Sequence, residues 1–266
     1  VVRCLFFAAA LALPGLSAQA PAPGSAASEP APLLGVDLFR LRSTLLSSFW
    51  KKDVFVEAGV VRPLNWKEGE RLPVAYNVHG FGGSHRVAWR LAPRLQEGMK
   101  AGTTPRMLYV YLHAHFEHGH HVFADSKFNG PWGKALTTEF IPALEARFSA
   151  AAEPAGRFLT GHSSGGWSTF WLQVTYPDFF GGCWSTAPDS VDFRDFTGID
   201  IYTYRSAFED PAGRPIMLMR REGRFVGSIK EYLDMELAKQ PIGGQFYSFN
   251  AVFGEAAPDG APRRLF

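Results

Sequence analysis

Apolar positions along the chain recur at two spacings, one suited to strands and one to helices. Residues 71–78 (RLPVAYNV) form a short apolar run that predicts a buried strand; the glycine-rich HGFGG follows, then Trp89, Leu91, Leu95 and Met99 at helical spacing. Residues 107–112 (MLYVYL) predict a second buried strand. Across residues 132–148, Leu136, Phe140, Ile141, Leu144 and Phe148 mark the apolar face of an amphipathic helix. Residues 157–160 lead as a strand into GHSSGG. Trp167, Phe170, Trp171 and Val174 then trace a helix that stops before Pro177, whose ring disfavours helical backbone at the residue before it. Residues 182–186 (GCWST) predict the next strand. Strand, turn and helix alternate with no internal repeat, an order that builds an α/β fold with a mostly parallel central sheet and helices on both faces.

Composition fits one such domain: 46% of the 266 residues are hydrophobic and 20% charged, enough to bury a full core. The first twenty residues (VVRCLFFAAALALPGLSAQA) carry an early cation at Arg3, an apolar run over residues 5–13, and small residues at Ala18 and Ala20, the pattern of a signal peptide. The run is shorter than the ~20 residues a membrane span needs, so the expectation is export to a secreted or periplasmic location, without stable membrane insertion after cleavage; a retained anchor is the alternative. Residues 21–33 are Ala, Pro, Ser and Gly-rich and read as a flexible linker, which leaves 34–266 as the folded domain. Loss of Arg3 with the signal lowers the net charge from +2 to +1, which argues against a nucleic-acid partner. Cys4 lies in the signal and Cys183 in an apolar stretch, so no disulfide is implied and Cys183 is expected in the core.

The candidate chemistry sits in turns that follow strands. Gly161-His162-Ser163-Ser164-Gly165 matches G-x-S-x-G, the sharp strand-to-helix turn that holds a serine in a strained geometry with its hydroxyl exposed. Ser163 is the candidate nucleophile, and the helix after it aims free N–H groups at a developing oxyanion, with the Ser164 amide as one donor. About 80 residues upstream, His79-Gly80-Phe81-Gly82-Gly83 follows the earlier strand, where the Phe81 amide is the candidate second donor. Either turn alone is a weak signal; the two in this order reinforce one another.

On these residues the chain resembles the putative-esterase family of α/β-hydrolases, the group of esterase D, feruloyl esterase and enterochelin esterase. The resemblance runs over roughly residues 55–266. HGFGG carries it, as do NGPWGKALTTEFIPALEARF from Asn129 and, most specifically, FLTGHSSGGWSTFWLQVTYPDFFGGCWSTAPD from Phe158. It implies hydrolysis of a small carboxylic ester by a Ser-Asp/Glu-His triad, with no metal or organic cofactor. The chain departs from that pattern in one respect: no histidine follows His162. The favoured expectation is truncation, with the last strands, the acid and the histidine beyond Phe266 and residues 190–266 forming an insertion or cap. A base recruited from His113 to His121, or a catalytically dead protein that binds a ligand in the same cleft beside Trp132, Trp167, Trp171 and Trp184, are the alternatives.

The run HAHFEHGHH, from His113 to His121, also admits a metal-dependent hydrolase, since imidazoles two or three residues apart with Glu117 nearby could hold zinc. Its spacing is not that of H-E-x-x-H, and a substrate-facing loop on the rim is the preferred reading. His79, Gly80, His121, Asn129 and Trp132 are candidate pocket residues, with Asp125 beside them. Asp189 and Glu222 follow apolar strand segments and could orient a histidine, but both read more simply as surface carboxylates.

Overall fold

The structure, a computed structural model, describes residues 31–240 and 242–265. The signal sequence, Cys4 and most of the 21–33 linker lie outside the described residues.

The first folded elements are ones that periodicity did not single out: strand β1 (Val36–Arg42), helix α1 (Thr44–Trp50) and strand β2 (Phe55–Val61). Ser43 caps α1 by accepting the Leu46 amide at 3.1 Å, and β1 and β2 pair antiparallel. Next come β3 (Val74–Val78), α2 (Val87–Ala101) and β4 (Leu108–Leu112), where the apolar runs placed them. Two short hairpins follow, β5 (His115–Phe116) with β6 (Gly119–His120), and β7 (Asp125–Ser126) with β8 (Gly130–Pro131).

The helix expected over residues 132–148 forms with an interruption. It comprises α3 (Trp132–Ala135), a wide π-type turn over Leu136–Phe140, and α4 (Ile141–Phe148). Pro142 has no amide to offer the preceding turn, and Ile141 N–H reaches back five residues to the Leu136 carbonyl. Strand β9 (Arg157–His162), helix α5 (Ser164–Thr175) and strand β10 (Gly182–Thr186) then complete the sheet.

The six strands lie in the order β1-β2-β4-β3-β9-β10, with β4, β3, β9 and β10 mutually parallel. Strand residues alternate between faces. Val74, Tyr76, Val78, Leu108, Val110, Leu112 and Leu159 pack against Trp132, Leu136, Phe140, Ile141, Leu144, Phe148 and Leu172. Full burial of each large apolar side chain in this layer contributes about 1.5–3 kcal/mol. On the other face, Val61 and Tyr111 meet Ala88 and Ala92 of α2. The register Ala75↔Phe158 and Thr160↔Trp184 continues that second face outward, where Phe158 is 38% and Trp184 74% exposed.

One ion pair lies inside the first layer. Arg157 on β9 grips Glu145 on α4 with two bonds of 2.7 and 2.9 Å, and Tyr76 donates to the same carboxylate at 3.2 Å.

Beyond β10 the chain builds a hairpin, β11 (Met217–Arg221) and β12 (Arg224–Ser228), then α6 (Ile229–Lys239) and α7 (Gln245–Phe253). These enclose a separate cluster of Phe196, Ile199, Ile216, Ile229, Phe246 and Phe249. Ser228 and Glu231 form a reciprocal cap on α6, and the buried Glu236 carboxylate accepts the Phe246 amide at 2.8 Å and the Gln245 amide at the start of α7. Phe253 seats the segment on Trp167 with ring centroids 5.2 Å apart. Cys183 is half-buried against the main core with no disulfide partner among the described residues.

Candidate functional site

Strands β3 and β9 are parallel neighbours, yet the chain leaves their carboxyl ends in opposite directions, to α2 on one face and α5 on the other. In an α/β sheet such a divergence marks the strand ends at which ligands bind. HGFGG and GHSSGG are the two segments that leave those strand ends.

The second loop is the sharper. Ser163 has φ 58° and ψ −127°, a conformation costly for a residue with a side chain, and α5 begins at the next residue. Three contacts over-determine the turn: Ser163 N–H donates to the Thr186 carbonyl at 3.2 Å, and its own carbonyl accepts from Trp167 at 3.0 Å and Asp189 at 3.4 Å. The flanking glycines are required by space. A Cβ on Gly165 would stand 2.8 Å from the His79 carbonyl oxygen, and one on Gly161 would be 3.0 Å from the Gly166 nitrogen.

The first loop lies directly against it. A Cβ on Gly80 would be 3.1 Å from the His162 carbonyl oxygen and 3.4 Å from the Ser163 Cβ. Gly80 and Phe81 are half-buried, and the Phe81 and Ser164 amides donate to no hydrogen bond among the described residues. The structure therefore sets the Gly80 loop, which continues into Phe81, directly against Ser163.

Asp189 is not the surface carboxylate read from sequence. It accepts from Ser164 Oγ at 2.6 Å and from Ser163 Oγ at 3.3 Å, and burial pushes its carboxyl above the usual range while these hydroxyls and Gln245 of α7 pull it back. Its position just past a strand end was the only sequence signal. Glu222, by contrast, is exposed in the β11–β12 turn.

The His113 to His121 run does not form the open rim loop expected of it: His113, His115 and His118 are half-buried and His120 and His121 buried. Among the described residues no histidine is hydrogen-bonded to Ser163; His162, beside it, is exposed with Nδ1 3.2 Å from Thr186 Oγ1. His120 and His121 are wholly buried, and burial holds both well below the ordinary imidazole range. Burial likewise lowers His79 and His85 to about 4 and His113 to about 3, so these rings are neutral. No group of three His, Cys, Asp or Glu among the described residues is arranged to hold a metal ion, which leaves the zinc reading without a donor set.

Three of the candidate pocket residues are core positions instead. His121 stacks on Trp132 at 3.7 Å with the rings 7° apart, and Trp132 Nε1 donates to the Asn129 carbonyl at 2.7 Å. Asp125 accepts the Lys134 amide at 2.9 Å and so caps α3. Of the four tryptophans considered for an aromatic cleft, Trp132 and Trp167 are buried, Trp171 is half-buried and only Trp184 is open to solvent. No described helix is long and apolar enough to cross a membrane.

The profile of the Esterase family, described as "Putative esterase", matches residues 56–193, which is 138 of the 266 residues. Among solved structures, a ferulic acid esterase is 19% identical with a TM-score of 0.49, covering 57% of this chain and 57% of that one. The ferulic acid esterase of the anaerobic fungus Anaeromyces mucronatus is 18% identical at 0.43, covering 58% and 59%. An S-formylglutathione hydrolase from Agrobacterium tumefaciens is 17% identical at 0.46, covering 62% and 66%. This chain thus spans less than two thirds of the length of each of these proteins. No curated protein matches the chain. With its family profile matched over more than half its length, and with this sheet order, the chain belongs to the Esterase family and has the α/β-hydrolase fold.

Proposed function

We propose that the protein is an exported serine hydrolase that cleaves a small carboxylic ester through an acyl-enzyme on Ser163. The observation that carries this is the Ser163 backbone, φ 58° and ψ −127°, at the junction of a central parallel strand and a helix, with the Gly80 loop pressed against it. Such strain persists only where the surroundings impose it, and it concentrates at functional sites. Ser163 Oγ bonds to the ester carbonyl carbon, the alkoxide leaves with the proton drawn from the serine, and water then releases the acid by the reverse sequence. The amides of Phe81 and Ser164 hold the oxyanion, each worth about 3 kcal/mol in such sites. No metal or organic cofactor enters these steps.

The reading requires a base. None of the eight histidines meets the Ser163 hydroxyl, which donates instead to Asp189 at 3.3 Å, so none of them is assigned the role of the imidazole. A ligand-binding protein without turnover is the reading favoured by that same carboxylate contact.

The test is active-site labelling of the complete native gene product with a neutral fluorophosphonate. One label at Ser163, abolished in Ser163→Ala, together with ester turnover, is the expected result. A folded native protein that takes up no label overturns the hydrolase reading and leaves the binding protein.

A further inference from the structure

Two buried histidines outside the reacting atoms hold the Gly80 loop. His79 Nδ1 lies 2.8 Å from the Gly80 carbonyl oxygen, and a carbonyl only accepts, so the proton sits on Nδ1. His79 Nε2 is then bare, and it accepts the Ala114 amide at 2.9 Å. His120 has the opposite tautomer for the same reasons: Nε2 donates to the His79 carbonyl at 2.9 Å, and Nδ1 accepts the Val122 amide at 3.2 Å. Every ring nitrogen of the pair is used, and each ring can satisfy its partners in one neutral form only.

The consequence follows from peptide geometry. In a planar trans peptide the C=O of one residue and the N–H of the next point in opposite directions. The Gly80 carbonyl and the Phe81 amide belong to one such unit. Holding that carbonyl from behind, with His79 Nδ1–H and the Gly83 amide at 3.0 Å, fixes the Phe81 N–H toward the other side of the loop. His120 does the same one peptide earlier, through the His79 carbonyl. Gly80 itself is the residue packed on Ser163.

We infer that His79 and His120 are positioning residues that aim the Phe81 amide at the oxyanion, an inference that rests on the serine-hydrolase reading above. The loop from β4 to β6, which supplies Ala114 and His120, thereby sets the geometry of a donor on the loop after β3. A histidine-rich stretch that sequence alone places on the rim thus acts from beneath the site.

The experiment compares His120→Leu with His120→Gln, whose side-chain NH₂ can take the place of Nε2–H, in the complete native protein, with His79→Asn as a second pair member that keeps a donor near Nδ1. The readouts are kcat and KM for a p-nitrophenyl ester and the rate of Ser163 labelling per folded molecule. His120→Leu should lower kcat and the labelling rate about 10- to 100-fold with KM within about threefold, since a donor swung off line forfeits much of its stabilisation. His120→Gln should recover most of the loss. If wild type labels and folded His120→Leu labels at the same rate, the inference is overturned; absence of labelling in wild type strikes the underlying reading instead.

Discussion

Gly165→Ala tests the claim that the turn works because helix α5 comes unusually close to strand β3. A Cβ at this position would lie 2.8 Å from the His79 carbonyl oxygen and closer still to that of Val78. Contacts under 3.0 Å are essentially never seen for a real Cβ, so the helix must back away from the strand. Helix propensity alone favours alanine over glycine by roughly 1 kcal/mol, whereas overpacking costs about 1–3 kcal/mol. The two terms leave a net destabilisation of up to about 2 kcal/mol, a drop in Tm of up to about 8 °C for a domain this size.

The functional effect should be larger than the thermal one. The carbonyls that the new methyl meets, those of residues 78 and 79, lead straight into the loop bearing Phe81, so displacement separates Ser163 from the expected oxyanion donor. Misplacement by about 1 Å costs on the order of 100-fold in rate. The assay is a thermal melt followed by circular dichroism, with the fluorophosphonate labelling rate measured well below Tm. Gly182→Ala is the control: it lies at the start of β10 with nothing within 4 Å of its Cβ, and it should melt and label like wild type. A Gly165→Ala protein that is more stable than wild type and labels normally would show propensity acting alone and refute the close-approach argument.

Stability should fall in mild acid. Burial lowers His79 to about 4 and His113 to about 3, while in the unfolded chain both titrate near 6.5, so their contribution is intact above about pH 6.5 and is lost as pH falls toward 4. Each adds a slope of up to about 1.4 kcal/mol per pH unit in that window, and urea midpoints equal at pH 8 and pH 5 would contradict neutral burial. Arg157→Met strands the Glu145 carboxylate in the core and should cost about 3–5 kcal/mol, whereas adding Glu145→Leu should restore most of it. Chemical denaturation reads both, and equal losses in single and double variants would remove the paired-charge explanation.

What could be read from sequence was local. Gly161 and Gly165 announce close backbone approach because a Cβ at either would collide with neighbouring backbone, and the apolar run of β4 is strong because both of its faces are covered. β1 and β2 escaped notice because they form the antiparallel flank, where Phe39 and Leu41 are only partly buried and charged side chains such as Arg40 and Glu57 interrupt the run. The histidine run misled for a related reason. Nearness in sequence suggested one rim, but Gly119, at φ 92°, reverses the chain and neighbouring residues then diverge. His118 stacks on Trp50, His120 reaches His79, and His121 turns onto Trp132.

Asp189 shows where a non-local contact could still have been derived. Parallel pairing sets Gly161 beside Ser185 and His162 beside Thr186, so the residues that leave β10 emerge next to those that leave β9. Ser163 is the first residue past the end of β9, and Asp189 the third past the end of β10. A carboxylate just past the second of two adjacent parallel strand ends is therefore brought into the neighbourhood of the serine past the first. The sequence offered the strand, the apolar run and the acid, but not the pairing of β10 with β9, and without that pairing an acid past a strand end is indistinguishable from any other exposed carboxylate. Once the pairing is fixed the two strand ends lie side by side, and the turn after β10, with Ala187 at φ 39° and the Asp189 amide on the Ser163 carbonyl at 3.4 Å, sets the oxygen distances of 3.3 and 2.6 Å.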